Sequence, residues 1–391
     1  MEPIDNFLEA SEEHLRQKLP TQNGAVRAGE ITLEAFMAWA ESFLGAYPAS
    51  LNDRELAKRA LTQVFLVINS AERHHIEAGA QPGDGLLATK GLDLVQRLST
   101  VAGHPPFPTA YTYWLWNATN PLTFTGTEGE RYFNYSVAAT NKGQGASNEA
   151  IRSICSGDLP TGTTQANDAI AFAASQYTKL RATYEEFLKH MSVDNFLAGW
   201  RQYLLHWHVN GLKHGPINAV NISSAISADF LLGTVESFYE TIVIERFPYL
   251  LDDDRAEVVV DMQMDSLTTC LLRALNIPVE RVQASDMATL AGDFAAATTS
   301  IKRTGFAYAA LVEAVASLSA KHYGLIHTYL VQGQKGYSPE YLQSLPVPAG
   351  SGVSHTGHGV TKRIHDMRQR HPVIAPLVAA IRLYERSYAA A

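Results

Sequence analysis

Along most of the chain the apolar positions recur every three or four residues, the spacing of an amphipathic helix. In DNFLEASEEHLRQKL, Phe7, Leu8, Leu15 and Leu19 fall near one face. LNDRELAKRALTQVFLVINSAERHHIEAG opens on Asn52 or Asp53 as N-cap and predicts a long helix. GLLATKGLDLVQRLSTVAG predicts another, closed by a glycine. The stretch GHPPFP, 103–108, then interrupts the pattern, because proline has no N–H to continue a helix and pushes its predecessor to extended geometry. A domain boundary is placed near it, dividing 1–100, a small helical part, from 101–391, a large helical part.

After the break comes an aromatic segment, TAYTYWLWNATNP, and then LTFTGTEGERYFNYSVAATNKGQGASNEA, whose polar, glycine-rich composition predicts irregular backbone. Helices are expected over 164–191 and 193–209. NGLKHGPINAVNISSA interrupts the pattern again, and further helices follow to a late Gly/Ser/His loop, SLPVPAGSGVSHTGHGV, and a final helix. No alternation of strand and helix suggests a parallel sheet, so the class is all-α.

Composition narrows the function. The 391 residues carry a formal charge of −8, with 46% hydrophobic and 18% charged residues. That balance argues against nucleic acid or an anionic membrane surface as partner, since both require clustered Lys and Arg. No apolar run approaches the ~18 residues that span a bilayer, and the charged N-terminal segment does not read as a secretory signal. The two cysteines, Cys155 and Cys270, are too few for a disulfide framework. A cytoplasmic location is expected.

The chemistry centres on ASLSAKHYGLIHTYL, 316–330, with two histidines. At ~100° per residue, Leu311, Val315, Leu318, His322, Leu325 and Tyr329 form one apolar stripe, and His327 is turned ~140° from His322. A histidine in such a stripe is either a core residue bonded to its neighbours or a ligand. Zinc is disfavoured, because there is no His-Glu-x-x-His and neither cysteine has a ligand-spaced partner. One imidazole facing a helical core suits an axial haem ligand. His206 and His208, read as helical, point apart and cannot chelate together. His74 and His75 read as exposed residues near a helix end.

SLSAKHYGLIHTYL followed by AGSGVSHTGHGVTKRI resembles the C-terminal part of indoleamine 2,3-dioxygenases, with His322 at the position of the proximal histidine. HPPFPTAYTYWLWNATNP and FTGTEGERYFNYSVA resemble segments of the monodechloroaminopyrrolnitrin synthase branch of that superfamily. VDNFLAGWRQYLLHW, GLKHGPINAVNISSA and RFPYLLDDDR resemble its haem-packing and helix-start segments, in the same order along the chain.

The resemblance implies a dioxygenase-like helical fold, haem b iron held by His322, and an oxygenase of specialised metabolism. The substrate would be a tryptophan-like aromatic amino acid or a derivative, with O2 as oxidant. A peroxide-driven hydroxylase of the tyrosine type, using H2O2, and a non-catalytic binder of haem or an aromatic ligand are the alternatives. A homodimer is compatible with it. Gly215, Ser223 and Ser224 are expected against the haem, and Lys321 and Arg363 near its propionates, with Lys362 a further candidate. Tyr111, Trp114 and Trp116 are expected to stack on the substrate. Arg131 and Arg152 are the candidates for its carboxylate. Gly352, Ser354 and His355 belong to the loop expected to close over it. In the related tyrosine hydroxylases an early-helix histidine reaches the distal pocket, a role that falls on His74 or His75.

Overall fold

A computed structural model of the chain describes residues 2–49, 51–81, 83, 90–215, 221–346 and 358–389. Its described residues are overwhelmingly helical, with one two-stranded hairpin, so the all-α expectation holds. The first helices are α1 (Glu2–Ala28), α2 (Leu33–Gly45), α3 (Arg54–Glu77) and α4 (Lys90–Ala102). Asp53 is the N-cap of α3, its carboxylate accepting from the backbone N–H of Glu55 and Leu56. That satisfies two of the donors a helix start leaves open. The break at GHPPFP follows α4, and Tyr111–Leu115 then forms a short π-helical turn.

Two segments differ from the sequence expectation. The glycine-rich stretch read as irregular is α5 (Glu128–Cys155), one of the longest helices. Thr127 is its N-cap, the hydroxyl accepting from Glu130 N–H. The Glu130 carboxylate turns back to accept from Phe124 N–H at 2.7 Å, Thr125 N–H at 2.8 Å and the Tyr113 hydroxyl at 2.6 Å. The glycines that suggested a loop instead permit close packing. A Cβ on Gly129 would lie 2.7 Å from the His190 carbonyl oxygen, and one on Gly143 would lie 3.0 Å from Leu180. Both neighbours belong to α6 (Thr164–His190), which runs against α5.

The expected helix over 193–209 is the second difference. It dissolves into short π and 3-10 turns over 195–203, then a strand. Trp207–Val209 pairs antiparallel with Leu212–His214, and Asn210 and Gly211 make the turn with φ of 52° and 76°. Asn-Gly is the residue pair that a two-residue hairpin turn favours. Trp207 points inward and donates to Asn69 at 2.8 Å, while His208 is exposed.

The remaining helices are α7 (Ser223–Leu232), α8 (Ser237–Arg246), α9 (Asp252–Gln263), α10 (Leu267–Leu275), α11 (Val279–Ala284) and α12 (Met287–Ala296). After them come α13 (Thr299–Ile326), α14 (Pro339–Ser344), α15 (His358–Arg370) and α16 (Ile374–Ala389). A π-helical turn, His327–Gln332, continues α13. Two large apolar cores result. One joins α1–α4 to the aromatic segment, the hairpin and the end of α13, and so runs across residue 100. The other joins the C-terminal half of α5 to α6, α7, α10, α12, α13 and α16. No helix among the described residues is long and apolar enough to cross a membrane.

Candidate functional site

α5 and α6, packed on α13, leave a cavity that α7, α8 and α15 complete. It holds about 100 Å3 of space for water-sized molecules and is partly open to solvent. The walls are largely apolar. Val137 comes from α5, Val315 and Leu318 from α13, Ile364 from α15, and Ile222, Ala225 and Ala228 from α7 and the residue before it. Polar side chains also reach it: Thr140 and Gln144, the phenols of Tyr177, Tyr184 and Tyr239, Ser319, Asp229, Arg368 and His322.

His322 arrives there by helical phase. Leu311, Val315, Leu318, Leu325 and Tyr329 are all buried, as the stripe requires, and His322 lies among them with its imidazole toward the cavity. The nearest ring is Tyr184, 5.9 Å between centroids. Neither ring nitrogen of His322 makes a hydrogen bond among the described residues. Burial, assisted by the positive charge of Arg368, pushes its pKa down to about 4. At neutral pH it is therefore an uncharged imidazole with an available lone pair, the form that binds a metal.

The charged corner of the cavity is a buried ion pair. Arg368 donates from Nε to Asp229 Oδ1 at 2.8 Å and from Nη2 to Oδ2 at 2.7 Å. Thr234 donates to the same carboxylate at 2.9 Å. Burial alone would push the Arg368 pKa down, but the Asp229 carboxylate more than offsets it, so the guanidinium stays charged. The phenols of Tyr177, Tyr184 and Tyr239 are raised, first by burial, and remain protonated donors. The Tyr177 hydroxyl is buried beside Gln144 on the cavity wall.

The sequence-expected residues divide sharply. His322 lines the cavity. Ser223 and Ser224 do not: on α7 the cavity is met by Ile222, Ala225 and Asp229, spaced by three and four, while Ser224 donates to Asn141 at 2.8 Å. Ser223 hydrogen-bonds the Tyr111 phenol. Gly215 is buried, and its N–H donates to the Tyr249 hydroxyl at 2.8 Å. Lys321, next to His322 in sequence, turns outward to within 3.9 Å of Glu185. Lys362 pairs with Asp366, and the exposed Arg363 covers the Phe238 ring at 3.9 Å.

The aromatic segment packs elsewhere. Trp114 belongs to the first core, and Trp116 lies against it with Lys58 over its ring. Tyr111 is buried, with its hydroxyl on Asp254. Arg152 is held by Asp261 at 2.8 and 2.9 Å and also by Glu257, so two of its three nitrogens are engaged. Arg131 is exposed on α5. None of these lines the cavity. Gly352, Ser354 and His355 lie outside the described residues.

His74 and His75 are not the exposed pair expected. His74 is 2% exposed, with Nδ1 on Glu77 at 3.2 Å and Nε2 on Asn23 at 3.0 Å. His75 is half-buried, and neither lines the cavity. His206 precedes the hairpin and His208 sits on its first strand, so their expected divergence on a helix does not apply. No group of three or more metal-ligating side chains occurs among the described residues.

Sequence reasoning missed Asp229 and Arg368. One signal was present. Asp229 lies inside the apolar run ISADFLL, where a lone carboxylate is costly without a partner. Arg368 is one of several basic residues in its helix and carries no such mark. No family model matches the chain, and no curated protein matches it.

Proposed function

We propose that the protein is a haem-dependent oxygenase acting on an aromatic amino acid or a derivative, with His322 as the axial ligand. The observation that carries this reading is the unengaged, neutral imidazole of His322 on the wall of a mostly apolar cavity. The resemblance of 316–330 and its neighbouring segments to the indoleamine 2,3-dioxygenase superfamily, and to the pyrrolnitrin-type branch in particular, supports it. So does the helical class.

The residues present fit the ring and its ligand. His322 offers nitrogen, Val315, Leu318, Ile222 and Ile364 offer apolar wall, and Ala225 and Ala228 allow close approach. Its anionic edge meets no unpaired cation among the cavity-lining residues, since Arg368 is held by Asp229. When bound, haem would supply the redox iron on which oxygen chemistry depends.

The chain's own groups do the rest. Burial keeps His322 deprotonated and so able to donate its lone pair across the physiological range. The apolar walls limit the water around a bound ring, which strengthens each polar contact made inside. Tyr177, protonated, is a donor on the cavity wall within reach of a substrate heteroatom.

The test is turnover by haem-loaded protein against tryptophan, tyrosine and their halogenated forms. O2 with a reductant is compared with H2O2, and products are read by mass spectrometry. Incorporation of oxygen from O2 supports the reading. A single-oxygen product formed only with H2O2 points to the hydroxylase alternative. Spectral shifts with aromatics and no oxidant consumed point to a binding protein and overturn the oxygenase.

A further inference from the structure

The chain has two cysteines, distant in sequence, and the fold brings them together. Cys155 is the last residue of α5, and Cys270 lies in the middle of α10. These helices meet against the end of α7. The Cys155 thiol points at the Leu231 carbonyl oxygen, 3.8 Å away, while Thr268, two residues before Cys270, donates to the Leu232 carbonyl at 2.5 Å. Cys155 shares its apolar cluster with Leu267, Leu271 and Leu272, which flank Cys270. The two thiols lie close enough to act on one another's ionisation. Each residue keeps a small exposure, 9% and 8%.

We propose that Cys155 and Cys270 form a reversible intramolecular disulfide when the folded protein meets a small peroxide. Cys270 is the attacking thiol. The neighbouring Cys155 holds it down to about 7, below the usual thiol value, and the same proximity raises Cys155. The Cys270 thiolate attacks one peroxide oxygen, the O–O bond breaks, and Cys270 becomes a sulfenic acid with release of one water. The Cys155 sulfur then attacks the sulfenic sulfur, the S–O bond breaks, and the second water leaves with the Cys155 proton. Two thiols have lost two electrons and two protons, and one peroxide has become two waters. The bond fastens the C-terminal end of α5 to α10. Val137, Thr140 and Gln144 of α5 line the cavity, so the fastened helix is one that shapes it. The inference does not depend on what the cavity binds.

The experiment treats the folded, reduced, full-length chain with a small excess of H2O2 and measures intact mass, free thiols and non-reducing peptide maps. The expected result is a monomer lighter by two hydrogens, no free thiol, and a Cys155–Cys270 cross-linked peptide that dithiothreitol releases. A chain cross-link of this span should also raise the thermal midpoint by about 5 °C. In Cys155→Ser, Cys270 should trap dimedone as a sulfenic acid, and in Cys270→Ser the remaining thiol should react far more slowly. Two persisting free thiols, oxygen added to each cysteine separately, or covalent dimers as the main product would overturn the proposal. The wild-type mass and peptide map decide the matter even if either variant folds poorly.

Discussion

His74, buried, and His322, half-buried on a cavity wall, are both histidines whose pKa burial pushes down, and they differ in their partners. In the first core, His74 uses both ring nitrogens, on Glu77 and Asn23, and His104 uses both, on the Pro105 carbonyl at 2.6 Å and the Thr109 hydroxyl at 2.8 Å. In the second region, His322 uses neither among the described residues. Burial alone does not mark a functional histidine. A protein that buries an imidazole for packing surrounds it with partners, because an unpaired polar group in the interior is costly. A histidine that forgoes them beside a cavity is available for a ligand.

The same contrast extends to charge. The first region satisfies its buried carboxylate, Glu130, with several neutral donors around a helix start. The second buries a full ion pair, Asp229 with Arg368, on the cavity wall. Breaking that pair should give the largest effect. Asp229→Asn leaves a guanidinium without its carboxylate and should cost about 3–5 kcal/mol in urea unfolding. Replacing both partners by apolar residues of similar size should recover most of it. A loss under about 1 kcal/mol for Asp229→Asn would remove the ion pair from the account.

The histidines themselves give the next test. His74→Phe strands Asn23 and Glu77 and should lose about 1–3 kcal/mol. His322→Phe breaks no hydrogen bond and should change the ligand-free protein by less than about 1 kcal/mol. Equal losses would erase the distinction.

Titration sharpens the comparison further. Burial pushes His104 down to about 3, whereas an unfolded histidine titrates near ~6.5. Between those values the unfolded chain holds a proton that the folded chain does not. Stability therefore falls as pH drops from ~6.5 toward 3. Denaturant midpoints measured across that window should decline, and His104→Asn should flatten the decline. The smallest effect is expected at a helix cap. Thr127→Ala removes one acceptor at the start of α5 and should cost about 1 kcal/mol.

Periodicity makes most of the fold legible in the sequence. The helix from Arg54 and the phase separating His322 from His327 both follow from spacing of three and four. What stays illegible has local causes. In α5, glycine content outweighs an N-cap threonine, Thr127, that is present in the letters. At 207–214, the Asn-Gly turn is visible, but the apolar residues that precede it also satisfy a helical pattern. Of the site, only His322 is legible, because it lies on a stripe. Tyr177, Tyr184, Tyr239, Asp229 and Arg368 converge from four helices, and no spacing within one helix reports such a meeting. The aromatics and arginines that chemistry favours, Trp114, Trp116 and Arg152 among them, are engaged by packing and ion pairs instead.

The central claim is that His322 is an unengaged imidazole placed to ligate a metal centre. Titrating ligand-free protein with haemin, followed by absorption and electron paramagnetic resonance spectra, tests it most directly. Wild type should bind one equivalent with the spectrum of histidine-ligated iron. His322→Gly should lose that spectrum and regain it with added imidazole, while His74→Phe should keep it. Identical haem binding and spectra in wild type and His322→Gly would contradict the account.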